Sequence, residues 1–162
     1  MYYTYKKAFT MIELIFVIVI IGILAVVAIP KFAQNKDNAS GSMCTHEVNQ
    51  LIHEIGNSYM KEKYTDFVGM GISKISNIRV NMISNGNGIV NTADTTVDTT
   101  GVTYSCDGEG LLYLVGGLDT QSNQYLLKIT DLSPTHPAGA NAAKQLRTLH
   151  GFSAGGTRTF SL

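Results

Sequence analysis

The sequence lacks a net charge of either sign: 12 Lys and Arg balance 12 Asp and Glu over 162 residues. Beyond residue 75 the basic side chains are Arg79, Lys128, Lys144, Arg147 and Arg158. That is too sparse for a track along a phosphate backbone, so no nucleic-acid partner is expected. Cysteine is scarce, with Cys44 and Cys106 alone and no C-x-x-C pair, which argues against a zinc or iron–sulfur site. The chain has no phosphate-binding glycine loop, no dinucleotide fingerprint and no nucleophile–base arrangement. His46-Glu47 and His53-Glu54 resemble half of a metalloprotease motif, but position 50 is Gln, so H-E-x-x-H fails and both histidines read as solvated. The chain is not expected to be an enzyme.

Apolar residues are abundant in one place. Lys6 and Lys7 precede a run over residues 9–29 that holds one ionisable side chain, Glu13. As a helix this run spans about 31 Å, close to the hydrocarbon thickness of a bilayer. It is too long for the core of a secretory signal and flows into further helical pattern. The lysines should remain cytoplasmic, which places the C-terminal part outside. Glu13 invites explanation, since a charge deep in such a helix costs about 2.5–3.5 kcal/mol on insertion scales. Either it has a specific partner, or it sits near the headgroups at the helix start, where the macrodipole favours acids.

The string Lys6-Lys7-Ala8-Phe9-Thr10-Met11-Ile12-Glu13-Leu14 resembles the processing site of type IV prepilins and type II secretion pseudopilins. The resemblance extends through Gly22 and Ala25 to Ile29-Pro30-Lys31-Phe32 and covers roughly residues 6–32. It implies cleavage between Ala8 and Phe9 by a prepilin peptidase, N-methylation of Phe9, and pairing of Glu13 with the terminal amine of a neighbouring subunit. Ala8 stands where the family usually has Gly. Gly22 and Pro30 match the family's helix-weakening positions, and either a stretchable segment between them or a simple kink at Pro30 would follow. The implied organisation is a leader at 1–8, a membrane and filament-core helix at 9–30, its continuation at 31–64, and a soluble head at 65–162. The implied partners are identical or related pilin subunits in a helical homo-oligomer and an inner-membrane assembly platform. The implied location is the bacterial inner membrane with a periplasmic domain, then a filament. A pseudopilin of a type II secretion system is the expected function. A surface pilin serving adhesion, twitching or DNA uptake is the first alternative, and a non-polymerising single-pass membrane protein with an outer binding domain is the second. Major pseudopilins commonly hold Ca²⁺ in a β-region loop. Asp94, Asp98, Asp107 and Glu109, with Asp119 and Asp131 further on, are candidate ligands, although solvated loop acids are the simpler reading.

The remainder predicts an α+β head. Cys44, Val48, Leu51, Ile52, Ile55 and Tyr59 fall on one face of a helix over about 42–64. Asn38-Ala39-Ser40-Gly41-Ser42 reads as a weak point or bend in that long helix. Strands are expected at 78–83, 102–106, 111–115, 124–129 and 157–162, with a hairpin turn at Asn85-Gly86-Asn87-Gly88 and a solvated loop over 91–100. Residues 141–150 read as a helix stopped by Gly151. Cys44 and Cys106 either pair or remain separate thiols. A bridge would close a loop of about 63 residues, worth roughly 4 kcal/mol in the chain-entropy model.

Overall fold

The computed structural model describes residues 9–62, 64–68, 70–80, 82–83, 89–90, 101–119, 121–122 and 124–162. Helix α1 runs Met11–Lys61 and is followed by two short helices, α2 (Tyr64–Val68) and α3 (Ile72–Ile75). A two-stranded pairing, β1 (Met82–Ile83) with β2 (Ile89–Val90), precedes a four-stranded antiparallel sheet. That sheet has the order β3 (Val102–Cys106), β4 (Glu109–Asp119), β5 (Gln124–Asp131) and β6 (Thr157–Ser161). Helix α4 (Pro137–His150) lies between β5 and β6 in sequence. The class is α+β with a long N-terminal helix. The chain divides into two compact units, Met1–Lys36 and Asp37–Leu162, and α1 supplies residues to both.

In the first unit α1 has no core to join: no described residue from 9 to 36 is buried. An 18-residue window of this helix reaches a mean hydropathy of 3.2, enough by length and composition to cross a membrane. Pro30 lies inside the helix, which remains helical on both sides of it.

In the second unit the same helix changes role. Cys44, Val48, Leu51 and Ile55 are buried at helical spacing, with Ile52 and Tyr59 partly buried beside them. They pack with Tyr104, Leu112, Leu114, Tyr125, Leu127 and Ile129 of the sheet and with Ala138, Ala142, Ala143 and Leu146 of α4. Helix α1 continues through residues 38–42, where a weak point or bend in the long helix is expected. Gly41 serves close packing: a Cβ there would lie 2.8 Å from the Ala138 carbonyl oxygen and 3.1 Å from Asn141 Cβ. The missing side chain lets α4 approach, and Asn141 Nδ2 donates to Asn38 Oδ1 at 2.9 Å alongside.

The meander follows the expected order, with β3 as expected and β4 and β5 longer. β3 and β4 are joined through Asp107 (φ 52°) and Gly108 (φ 87°), consecutive positive angles of the kind that match hairpin twist. The strand expected at 78–83 shrinks to Met82–Ile83, paired Met82 with Val90 and Ile83 with Ile89. Upstream, the Ile78 N–H is taken by Ser76 Oγ at 3.0 Å, a local bond that competes with a ladder. The Asn85–Gly88 turn and the 91–100 loop lie outside the described residues. Helix α4 starts four residues earlier than expected because Pro137 occupies the first helical turn, where its missing N–H costs nothing. Gly151 ends it in the left-handed conformation (φ 69°, ψ 35°), its N–H donating to the Arg147 carbonyl.

Three long-range ties fasten the second unit. A disulfide joins Cys44 on α1 to Cys106 at the end of β3, with Cα atoms 5.8 Å apart. Nearby, the buried Tyr104 hydroxyl donates to Glu47 Oε2 at 2.7 Å; burial first, then that carboxylate, pushes the phenol pKa above its ordinary value. The third tie is Asp131. Alternation along β5 turns it inward with Tyr125, Leu127 and Ile129, and it is 2% exposed. Its carboxylate accepts from the N–H groups of Ser133 (3.0 Å) and Gly155 (2.9 Å) and from Arg147 Nε (2.8 Å). Burial pushes its pKa up, but the Gly155 and Ser133 N–H groups and the Arg147 guanidinium outweigh that and hold it below the ordinary aspartate value.

Three outcomes are expected from these contacts. Gly41→Val should push α4 from α1 and cost about 1–3 kcal/mol, read as a lower thermal midpoint. Arg147→Ala leaves the Asp131 carboxylate buried without its cation, for a loss on the order of 3 kcal/mol. Because Asp131 titrates lower in the folded than in the unfolded chain, its stabilisation is full above about pH 4 and fades as pH falls through the folded value. Asp131→Asn should therefore flatten the acid limb of the stability–pH curve, measured by urea unfolding.

Candidate functional site

The start of α1 is built by four residues. Phe9 is 89% exposed and precedes the helix. Thr10 is the residue immediately before the first helical position, Met11, and Glu13 is the third helical residue. Thr10 Oγ accepts from the Glu13 N–H at 3.3 Å, while Glu13 Oε2 accepts from the Thr10 N–H at 2.9 Å and from the Thr10 hydroxyl at 2.9 Å. This reciprocal arrangement is a capping box: it satisfies two backbone donors that no carbonyl of the helix can reach. The acid also lies at the positive end of the helix dipole.

Glu13 is held by its own chain. Within its own chain it closes the helix start, using N–H and O–H donors that carry no full charge. An ionised carboxylate here would strongly attract a cation brought beside it in a medium of low dielectric. The sequence pattern singles out Glu13 by its distance from Phe9 but passes over Thr10. The signal for Thr10 is the spacing T-x-x-E ahead of an apolar run, which is a helix-start signature in its own right.

The other expected assembly positions are helical and open. Gly22 has nothing within 4 Å of where a Cβ would stand, and Pro30 is exposed. Ala8 lies outside the described residues.

Four of the six acidic calcium candidates are among the described residues. Asp94 and Asp98 lie outside the described residues. Glu109 accepts from the N–H groups of Thr135 (2.9 Å) and His136 (2.7 Å), so its carboxylate caps the entrance to α4. The His136 N–H first, then that of Thr135, holds its pKa below the ordinary value. Asp107 lies 3.7 Å from His136 Nδ1. Asp119 is engaged in its own turn by the Ser122 hydroxyl and the Gln121 N–H, and Asp131 is the buried tie described above. Among the described residues no group of three His, Cys, Asp or Glu side chains is placed to hold a metal ion. The Glu109 carboxylate is thus already engaged by donors from the loop before α4. His46 and His53 are exposed.

Compared with known families, residues 4–29 match the prokaryotic N-terminal methylation motif. The chain carries the signature of type IV pilins and pseudopilins. The match spans the lysines, the Ala8–Phe9 bond, the capping box and the apolar run, and it implies processing by prepilin peptidase and pilin-type assembly. Neither a curated protein nor a solved structure matches the chain significantly. The α+β architecture, with a long N-terminal helix and a small antiparallel sheet, is consistent with a pilin-like fold.

Thr10→Val should open the capping box, because the N-cap oxygen and one donor to Glu13 disappear together. In detergent-solubilised protein, backbone amides at the start of α1 should exchange faster, whereas Thr10→Ser should exchange as the parent does.

Proposed function

We propose that this chain is a structural subunit of a type IV pilus-like filament, and specifically a pseudopilin of a type II secretion system. The prepilin peptidase cuts between Ala8 and Phe9, the new amine is methylated, and α1 holds the subunit in the inner membrane until it is added to the filament. Identical or related subunits then stack through their apolar helices in a heterologous, open-ended contact. The observation that carries this reading is the capping-box acid on an otherwise unpartnered apolar helix, placed four residues after Phe9.

Cleavage supplies the missing element. It creates an ammonium on Phe9, one residue ahead of the helix cap, and removes Lys6 and Lys7 from a zone that must be packed tightly. Methylation keeps the positive charge. Glu13 of one subunit and the Phe9 ammonium of the next attract in low dielectric, and either one buried alone is costly. The penalty for a wrong stagger makes the pair a register device, while the capping box supplies Glu13 with donors before a neighbour arrives.

The pseudopilin choice over a surface pilus rests on the cysteines. Many surface pilins close a C-terminal loop with a disulfide. Here the bridge joins Cys44 on α1 to Cys106 on β3 instead, and the sequence has no cysteine beyond it.

Two substitutions separate the roles of Glu13. Gln also serves at the third position of a capping box, so Glu13→Gln keeps the helix start and removes the charge, whereas Glu13→Ala removes both. Both variants should reach the membrane and be processed, and both should fail to enter filaments, measured as sheared or pelleted polymer against total subunit. Normal polymer yield from Glu13→Gln would overturn the register role.

A further inference from the structure

Helix α1 carries a groove where its apolar run ends. Leu24, Val27, Ala28, Lys31, Phe32 and Asn35 line about 330 Å³ of space. Offsets of three, four, seven, eight and eleven residues from Leu24 place all six on one face of the helix. Leu24, Val27 and Phe32 stand exposed, while Ala28 is half-buried between them. A single methyl group flanked by long side chains makes Ala28 the floor of an apolar slot. Lys31 and Asn35, about one helical turn apart, close its C-terminal end with an ammonium and an amide.

The charge at that end has no protein partner at its own level. Among the described residues Lys31 makes no ion pair or hydrogen bond. Residues 14–36 hold Lys31 and Lys36 but no Asp or Glu. Glu13 lies 18 residues before Lys31 (31 minus 13), about 27 Å along the helix. A second α1 brought alongside its residues 14–36 would therefore offer Lys31 no carboxylate and would add two more cations.

An anionic phospholipid supplies both complements. Its acyl chain matches the slot, and its phosphodiester charge is not cancelled by a cation in its own headgroup. The level fits as well. Residues 9–29 span about 31 Å as a helix, the thickness of the hydrocarbon core. Lys31, two residues beyond, then comes to the headgroups, where a lysine stem lies along apolar surface and its ammonium reaches the phosphate layer. We propose that this face of α1 binds one anionic phospholipid of the leaflet opposite the leader, with the phosphate on Lys31 and Asn35 and an acyl chain along Leu24, Val27 and Ala28. The site rests on α1 being the membrane anchor proposed above. Stacking of α1 would cover the face, so the lipid belongs to the subunit before assembly.

Photolabelling of the full chain in phosphatidylcholine vesicles that contain phosphatidylglycerol tests this. In parallel preparations one lipid or the other carries a photoactivatable acyl chain, and mass spectrometry locates the adducts. Phosphatidylglycerol adducts over residues 24–32 should exceed phosphatidylcholine adducts about fivefold, the scale of one lysine near an anionic surface. Lys31→Gln should abolish that preference. Lys36→Gln should retain it, because Lys36 lies on a different face of the helix. Ala28→Leu fills the floor and should lower phosphatidylglycerol labelling with every charge in place. Excess glycerol phosphate, a headgroup without an acyl chain, should leave labelling unchanged. These readouts need neither cleavage nor polymer, so their failure leaves the register role of Glu13 standing, and failure of that role leaves them standing. Equal labelling by the two lipids, equal losses from Lys31→Gln and Lys36→Gln, unchanged labelling of Ala28→Leu, displacement by glycerol phosphate, or a face labelled by neither lipid because a second copy of α1 covers it would each overturn the proposal.

Discussion

A carboxylate on an apolar helix needs hydrogen-bond donors wherever the helix goes. α1 presents residues 9–36 without a core of its own, and Glu13 is the acid within the apolar run. Thr10 meets the requirement inside the chain: its N–H and hydroxyl both reach Glu13 Oε2. That arrangement stops short of neutralising the charge. In the reading advanced for this protein, the Phe9 ammonium created by cleavage does so, and it comes from another subunit. Helix capping and filament register then draw on the same side chain at successive stages, which explains why a short polar cluster is kept at the head of a run otherwise suited only to lipid or to other helices.

The same helix satisfies a second constraint further along. From Gly41 to Ile55 it buries one stripe against the sheet and α4. Its attachment there is over-determined. Gly41 admits α4, the disulfide holds Cys44 to β3, and the Tyr104–Glu47 bond adds a polar contact beside the bridge. The C-terminal half is fastened differently, through the buried Asp131, which gathers the end of β5, the loop before α4, the last turn of α4 and the loop leading to β6. Glu109 closes the remaining junction by capping the entrance to α4 from the β3–β4 hairpin. Acidic residues that look like loop ligands in the sequence are thus the pins of the fold.

What could be read from the sequence follows a physical division. The amphipathic face of α1, the meander and the Gly151 stop depend on local periodicity and turn chemistry, and these are written in contiguous residues. The motif around Phe9 and Glu13 is likewise contiguous. The packing role of Gly41 was not legible because its neighbour, Ala138, is distant in sequence. The capping role of Glu109 was hidden for the same reason, since its donors at Thr135 and His136 come from another element. The strand over 78–83 lost its first half to a side-chain bond from Ser76 that alternation does not reveal. Pairing of the two cysteines also needed the Cα separation, which spacing does not supply. Thr10 is the exception: its signal was local and legible, but the apolar run and the acid drew the reading past it.

The account stands on the chemistry of the Ala8–Phe9 bond. Mass spectrometry of the chain recovered from cells with an active prepilin peptidase tests it most directly. The prediction is a terminus at Phe9 carrying one methyl group, and a chain that still carries Lys6, Lys7 and Ala8 ahead of Phe9 once the peptidase is removed. A chain that retains Met1 through Ala8 while the peptidase is active would contradict it.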